Sequence, residues 1–133
     1  MSEPQWVPIG TVLDMHELQL EVHGGLVGVR DEGLLASAIH RPLNLWNYSD
    51  KTADLASLAA CYAVGIARNH PFFDGNKRTA MVLCETFLRL NGCILHATND
   101  ECYEAMIGLA SGTWDEEQIA EWIRSHLENR SPQ

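Results

Sequence analysis

Positive charge is what this sequence is short of. Nine lysines and arginines stand against 18 aspartates and glutamates in 133 residues, a net charge of −9. A field of that sign repels phosphate backbones, which disfavours direct nucleic-acid binding and favours a protein partner with a basic face. Paired cysteines are missing too. Cys61, Cys84, Cys93 and Cys102 include no Cys-x-x-Cys, and three fall in segments that read as helix or buried strand, so free buried thiols of a reducing compartment are the simplest account. Cys93 and His96 have the spacing of half a zinc site, with no second pair to complete it. No apolar h-region follows Met1-Ser2-Glu3-Pro4. Nor does any apolar run approach the roughly 20 residues of a membrane span. The expectation is a cytoplasmic protein without membrane contact. Repeats, linkers and low-complexity blocks are absent, and only Met1 to Pro4 and Asn129 to Gln133 read as frayed.

What is present is helical punctuation over a length that suits one domain, residues 1–133. Thr11 is placed to cap a first helix whose apolar positions Val12, Leu13, Leu18, Leu20 and Val22 run to Gly24-Gly25. Asp31 is placed to cap a short second helix, EGLLASAIHR, ended by Pro42. The connection LNLWNYSDK follows, with room for a small β-hairpin flap around residues 43 to 50. Thr52 opens the best-formed helix, where Leu55, Leu58, Ala59, Tyr62, Ala63 and Ile66 recur at helical spacing. NKRTAMVLCETFLRLN is a further apolar helix, stopped by Asn91-Gly92, and CILHA reads as extended. Thr98 with Glu101 and Thr113 with Glu116 form two capping boxes, and Ile119, Trp122, Ile123 and Leu127 share one face of a last helix. About six helices without an alternating strand pattern make an all-α bundle.

One stretch departs from ordinary core and surface: HPFFDGNKRTA, residues 70 to 80. It joins the two most apolar helices, the second starting near Gly75 or Asn76. The first N–H groups of that helix lack intrahelical partners and its dipole is positive there, which makes an anion site. Gly75 admits a close backbone approach and φ > 0, and Lys77 and Arg78 add donors where cations otherwise oppose the dipole. Such convergence suits phosphate. Asp74 beside a phosphate calls for a cation between them, and Mg²⁺, held by one carboxylate with phosphate oxygens and water, is that cation. His70, an imidazole that can be neutral at cellular pH, suits general-base work on a hydroxyl. Phe72 is placed to pin the turn in the core. The plain alternative is a His-Pro turn in which Lys77 and Arg78 balance nearby acids.

The spacing HPFFDGNKR resembles the central motif of the Fic/Doc family, His-x-Phe-x-Asp/Glu-Gly/Ala-Asn-Gly/Lys-Arg, at every fixed position from His70 to Arg78. Gly24 to Pro42, GGLVGVRDEGLLASAIHRP, and FLRLNG after the motif are similar to the Doc branch of that family. AMP-transferring Fic enzymes carry Gly where this chain has Lys77 and a further Arg where it has Met81. Doc toxins of toxin–antitoxin pairs carry the Lys and lack that Arg.

The resemblance implies a Fic/Doc-type bundle and a protein kinase that moves the γ-phosphate of ATP to a threonine of translation elongation factor Tu, arresting translation. On it, His70 is the base, Asp74 holds Mg²⁺, Gly75 and Asn76 form the anion cradle, and Lys77 and Arg78 clamp phosphates, Arg78 also stabilising transition-state charge. Arg30 and Asp31 lie in the second matched segment without an assignable role. Trp46 and Tyr48 belong either to a target-docking flap or to the core. His16, His23, His40, His96 and His126 read as surface or satisfied core, Met81 and Met106 as core. An inhibitory Ser/Thr-x-x-x-Glu-Gly/Asn helix is absent from the sequence, so a Phd-like antitoxin acting in trans, with a segment that folds into a groove near the site, is the expected restraint. Two rivals remain: AMP transfer of the Fic type, and a catalytically idle binding module or co-repressor.

Overall fold

The computed structural model describes residues 2–129, among which six α-helices and one two-stranded sheet form an all-α bundle. The helices are α1 (Ile9–His23), α2 (Glu32–Tyr48), α3 (Leu55–Asn69), α4 (Asn76–Leu90), α5 (Asn99–Ser111) and α6 (Glu116–Ser125). β1 (Cys93–Leu95) pairs antiparallel with β2 (Leu127–Asn129), Ile94 opposite Glu128. No helix among the described residues is long and apolar enough to cross a membrane.

Helix α3 is the axis. Eleven of its fifteen residues are buried, Ala56 and Leu58 through Ala67, so it is apolar all round as a central helix must be. It packs against α2, α4, α5 and α6. Its alanines let these neighbours approach, and at Gly65 the approach is closest. A Cβ there would lie 2.8 Å from the Ala38 Cβ of α2. The stripe read from the sequence is present, with Cys61 and Val64 buried beside it.

The small hairpin for which residues 43 to 50 have room does not form. α2 runs through Pro42 to Tyr48, although a proline inside a helix removes one hydrogen bond and costs about 3 kcal/mol. Burial offsets this. Continuing the helix puts Pro42 and Trp46 in the core, with Trp46 edge-on to Trp6, and burying one large side chain contributes about 1.5–3 kcal/mol. Tyr48 is 91% exposed, so the two aromatics part company.

Tertiary contacts also move several helix ends. Pro8, not Thr11, precedes α1, because Val7 N–H donates to the Tyr62 hydroxyl (3.1 Å) and Trp6 stacks on Phe87, fixing where the chain turns in. Leu18 and Val22 on α1 are exposed. Asp54, not Thr52, caps α3 by accepting from Ser57 N–H at 2.9 Å. The Thr98–Glu101 capping box forms, but the second box is Asp115 with Gln118, since Trp114 seats on Gly108 and delays the start of α6. Leu127 sits in β2 instead of on the α6 face. Near the N-terminus Pro4 is buried, and Gln5 and Asn91 exchange two hydrogen bonds, so this end is tied down; at the other end Asn129 pairs with Cys93, while residues 130–133 lie outside the described residues.

All four cysteines are free and buried, and burial raises their pKa values, Cys61 to about 12, so none is a poised nucleophile. Cys93 and His96 remain half a zinc site at most: His96 pairs with Glu128, and no cluster of three potential ligands occurs among the described residues.

The Arg124 guanidinium, with the Ser57 N–H, holds the Asp54 carboxyl down at about 2 against an ordinary 3.8, burial opposing. A depressed carboxyl stabilises the fold above its unfolded value and loses that contribution as pH falls through its folded one. Half of the Asp54 side chain stays exposed, which screens the contribution to about 1 kcal/mol. Asp54→Asn is therefore expected to be less stable than the parent at pH 7, with the difference closing between pH 3.8 and about 2 in urea titrations. A constant difference down to pH 2 would contradict this account.

Candidate active site

The loop between α3 and α4 begins at His70, which ends α3 in the left-handed region (φ 49°, ψ 55°). A residue with a Cβ pays roughly 1–2 kcal/mol there. Four hydrogen bonds from outside oppose that cost. Arg30 donates from Nε to the His70 carbonyl (2.7 Å) and from Nη2 to the Asn69 carbonyl (2.8 Å). The backbone N–H groups of Arg30 and Asp31 reach the Pro71 carbonyl at 2.7 and 3.1 Å. Three successive carbonyls at the end of α3 are thus all occupied by one short segment.

Phe72 fills the interior side of the loop, fully buried and stacked on His16 at 3.7 Å with the rings 8° from parallel. Asn76, only 6% exposed, turns its amide back onto Phe72. Its Oδ1 accepts from Phe72 N–H (3.0 Å) and its Nδ2 donates to Phe72 O (2.9 Å), with His70 Nδ1 at 3.5 Å. A side chain spent inward cannot also contact an anion, so what Asn76 offers outward is its backbone N–H.

Gly75 is the N-cap of α4, in the left-handed region (φ 79°, ψ 16°) and with no side-chain cap bond. Thr79 N–H takes the Gly75 carbonyl, and the N–H groups of Asn76, Lys77 and Arg78 meet no acceptor among the described residues. Those donors, the positive end of α4 and two cations converge on one face. Lys77 and Arg78 form no ion pair among the described residues, so the plain alternative of balancing nearby acids is not what the structure contains. From behind, His16 Nε2 lies 2.8 Å from the Asp74 carbonyl; a carbonyl only accepts, so Nε2 carries the proton. A cleft of about 200 Å³ is lined by Asp74 through Arg78 and Tyr103, and opens beside a second of about 330 Å³ that shares Lys77, Arg78 and Tyr103. Glu85 lines the second cleft, and burial raises its carboxyl, Arg89 opposing.

Asp74 is half-buried, its Oδ2 accepting from Leu26 N–H at 2.7 Å. Residues 24–31 run antiparallel to the loop, with Val29 bridged to Phe72 and Phe73 N–H on the Gly28 carbonyl. Gly25 is required where this segment crosses Asp74: its φ is +128°, and a Cβ would lie 3.1 Å from the Asp74 Cβ. The strip leaves Leu26 and Val27 exposed beside Phe73.

These donors fit the groups that the chemistry implies. One carboxylate edge with no cluster of further ligands suits Mg²⁺, which binds through one or two carboxylates and completes its shell with phosphate oxygens and water. Free N–H groups and two unpaired cations suit a nucleotide's phosphates.

His70, Asp74, Gly75, Asn76, Lys77 and Arg78 thus share one loop and helix start. Of the remaining histidines, His126 lies 3.5 Å from Glu101, and His16 is a satisfied core residue that supports the loop. Sequence reasoning read His16 as surface or satisfied core and left Arg30 without a role, and it did not single out Tyr103. Arg30 lies 40 residues from its acceptor and His16 58 from its own, separations at which local pattern carries no signal. The resemblance did mark the Arg30 segment. Because both Phe72 backbone groups depend on Asn76, Asn76→Ala is expected to cost about 2–3 kcal/mol in chemical denaturation and to speed amide exchange at Phe72; a loss under about 0.5 kcal/mol would contradict the role given to this amide.

A sequence model of the Fic/DOC family matches residues 6–88. The chain is 33% identical over 113 residues to "Protein kinase doc" of Escherichia phage P1, covering 85% of this chain and 88% of that protein. It is 44% identical over 77 residues to "Toxin Doc" of Mycolicibacterium smegmatis, covering 58% of this chain and 59% of that protein. With its motif folded into a loop and helix start, and with relatives of these names, the chain belongs to the Fic/DOC family, on its Doc branch.

Proposed function

We propose that this protein is a Doc-type toxin that transfers the γ-phosphate of ATP to a threonine hydroxyl of translation elongation factor Tu. The observation that carries the reading is the uncapped start of α4, where three free N–H groups, Lys77 and Arg78 face one cleft beside Asp74, with His70 exposed at the same loop. In this reading His70 takes the proton from the acceptor hydroxyl as its oxygen bonds the γ-phosphorus and the bond to the β–γ bridging oxygen breaks, releasing ADP, which general-base catalysis supports by roughly 10²–10⁴-fold. Gly75, Asn76 and Lys77 hold phosphate oxygens through backbone N–H groups and the ammonium. Arg78 adds a guanidinium where charge develops. Asp74 holds Mg²⁺, whose charge when bound offsets that of the phosphates.

Phosphate transfer is preferred to AMP transfer because Lys77 and Met81 stand where AMP-transferring relatives have Gly and Arg. A lysine crowds a glycine-lined cradle and changes which phosphate faces the acceptor. Restraint falls to an antitoxin in trans. The net charge of −9 favours a basic partner, and the cleft beside the cradle is an accessible place for a helical segment.

Intact-mass spectrometry of elongation factor Tu after incubation with this protein, ATP and Mg²⁺ tests the reading. A gain of about 80 daltons, the mass of one phosphoryl group, that is lost with His70→Ala is the expected result. A gain of about 329 daltons would replace it with AMP transfer. No gain, on this target or in lysate with labelled ATP, would leave a binding module.

A further inference from the structure

Arg30 touches no part of the cleft, yet it makes the most demanding contact in its neighbourhood. Its guanidinium spans two consecutive carbonyls at the end of α3, Asn69 at 2.8 Å and His70 at 2.7 Å, and its own N–H takes the third, Pro71, at 2.7 Å. A helix end normally meets its unpaired carbonyls with a glycine in the left-handed position, because a side chain is strained there. Here that position is His70, with φ 49°. Relaxation of His70 to an ordinary backbone conformation would swing its Cα–Cβ bond and carry the imidazole away from Asn76. The Arg30 fork makes relaxation costly, since both carbonyls would lose a charged donor at once.

The spacing of the two carbonyls explains why an arginine is needed. A planar fork with fixed N–H directions satisfies two oxygens together and so specifies an angle as well as a distance; an ammonium is a point charge that specifies neither. The side chain is exposed, and Leu34 O, which accepts from Asn69 Nδ2 at 3.3 Å, gives the end of α3 a second anchor. Folding therefore has other support, while the direction of the His70 imidazole depends on Arg30.

We infer that Arg30 is a positioning residue, holding His70 in the strained left-handed conformation that keeps its imidazole beside the Asn76 amide, Nδ1 3.5 Å from Nδ2. This rests on the proposed role of His70 only for its effect on rate; the effect on the side chain is independent of it. Arg30→Ala, Arg30→Gln and Arg30→Lys would be compared with the parent by long-range proton–nitrogen spectra of the imidazoles, with His70 assigned from His70→Gln, and by phosphoryl transfer to elongation factor Tu.

In Arg30→Ala the His70 ring signals are expected to shift and broaden while the buried His16 signals stay in place. kcat is expected to fall roughly 10- to 100-fold, the scale of a small misplacement of a reacting group, with KM for ATP within about twofold. Arg30→Lys is expected to lie between Ala and the parent in both readouts. Unchanged His70 signals in Arg30→Ala and Arg30→Gln would overturn the inference, whatever the activity. A common fall in melting temperature and rate with His70 signals as in the parent would reduce Arg30 to a stabilising contact. Should Arg30→Ala lose the His16 signals as well, the fold has failed and Arg30→Lys decides by the same spectra. Transfer persisting in His70→Ala would refute the base role alone, and the spectra would still decide the positioning.

Discussion

The site depends on where one amide points. Asn76 occupies the first turn of α4, and its side chain reaches back to Phe72 and is consumed by the loop. Gly75 before it has nothing to cap with. The result is a helix of fifteen residues whose opening N–H groups stay free beside Lys77 and Arg78. Elsewhere in the molecule α2, α3, α5 and α6 all spend an aspartate or threonine on their first turn. Capping is what a stable helix start ordinarily does, so a glycine at that position of α4 concedes roughly a few tenths of a kcal/mol and leaves room for an anion.

Rigidity around that opening comes from three directions. Beneath it, Phe72 stacks on His16, and the same imidazole holds the Asp74 carbonyl. Beside it, the strip of residues 24–31 takes up the backbone groups of the loop and one oxygen of Asp74. Behind it, α3 is buried through Ala67, so the loop leaves from a helix fixed in the core. The strained φ of His70 is sustained by these supports together. The surface charge points the same way. In a chain of net charge −9, two cations at the positive end of a helix without acidic partners form a local reversal of the field.

Much of this was available in the order of the residues. Helical periodicity marked out α3 and α4, the Asn91-Gly92 stop marked the end of α4, and the run from His70 to Arg78 marked the candidate site, because these features are local: a 3.6-residue repeat, a cap and a loop each lie within one window of the chain. Predictions failed where distant contacts overrode a local rule. Pro42 reads as a stop, but burial of Trp46 carries α2 past it. Thr113 reads as a cap, but Trp114 on Gly108 shifts the start of α6 to Asp115. Leu127 reads as helix, but a strand at Cys93–Leu95 offers it a partner.

The sequence by itself determined that the chain is helical, where the candidate site lies along it and to which family it belongs, since composition, period and motif are properties of neighbours along the chain. Only the tertiary structure decided how those residues are held. It turned Asn76 inward, brought Arg30 across 40 residues to the end of α3, and set His16 under Asp74. Such contacts follow from which helix faces meet once the core closes, and no window short enough to read as a pattern contains both partners.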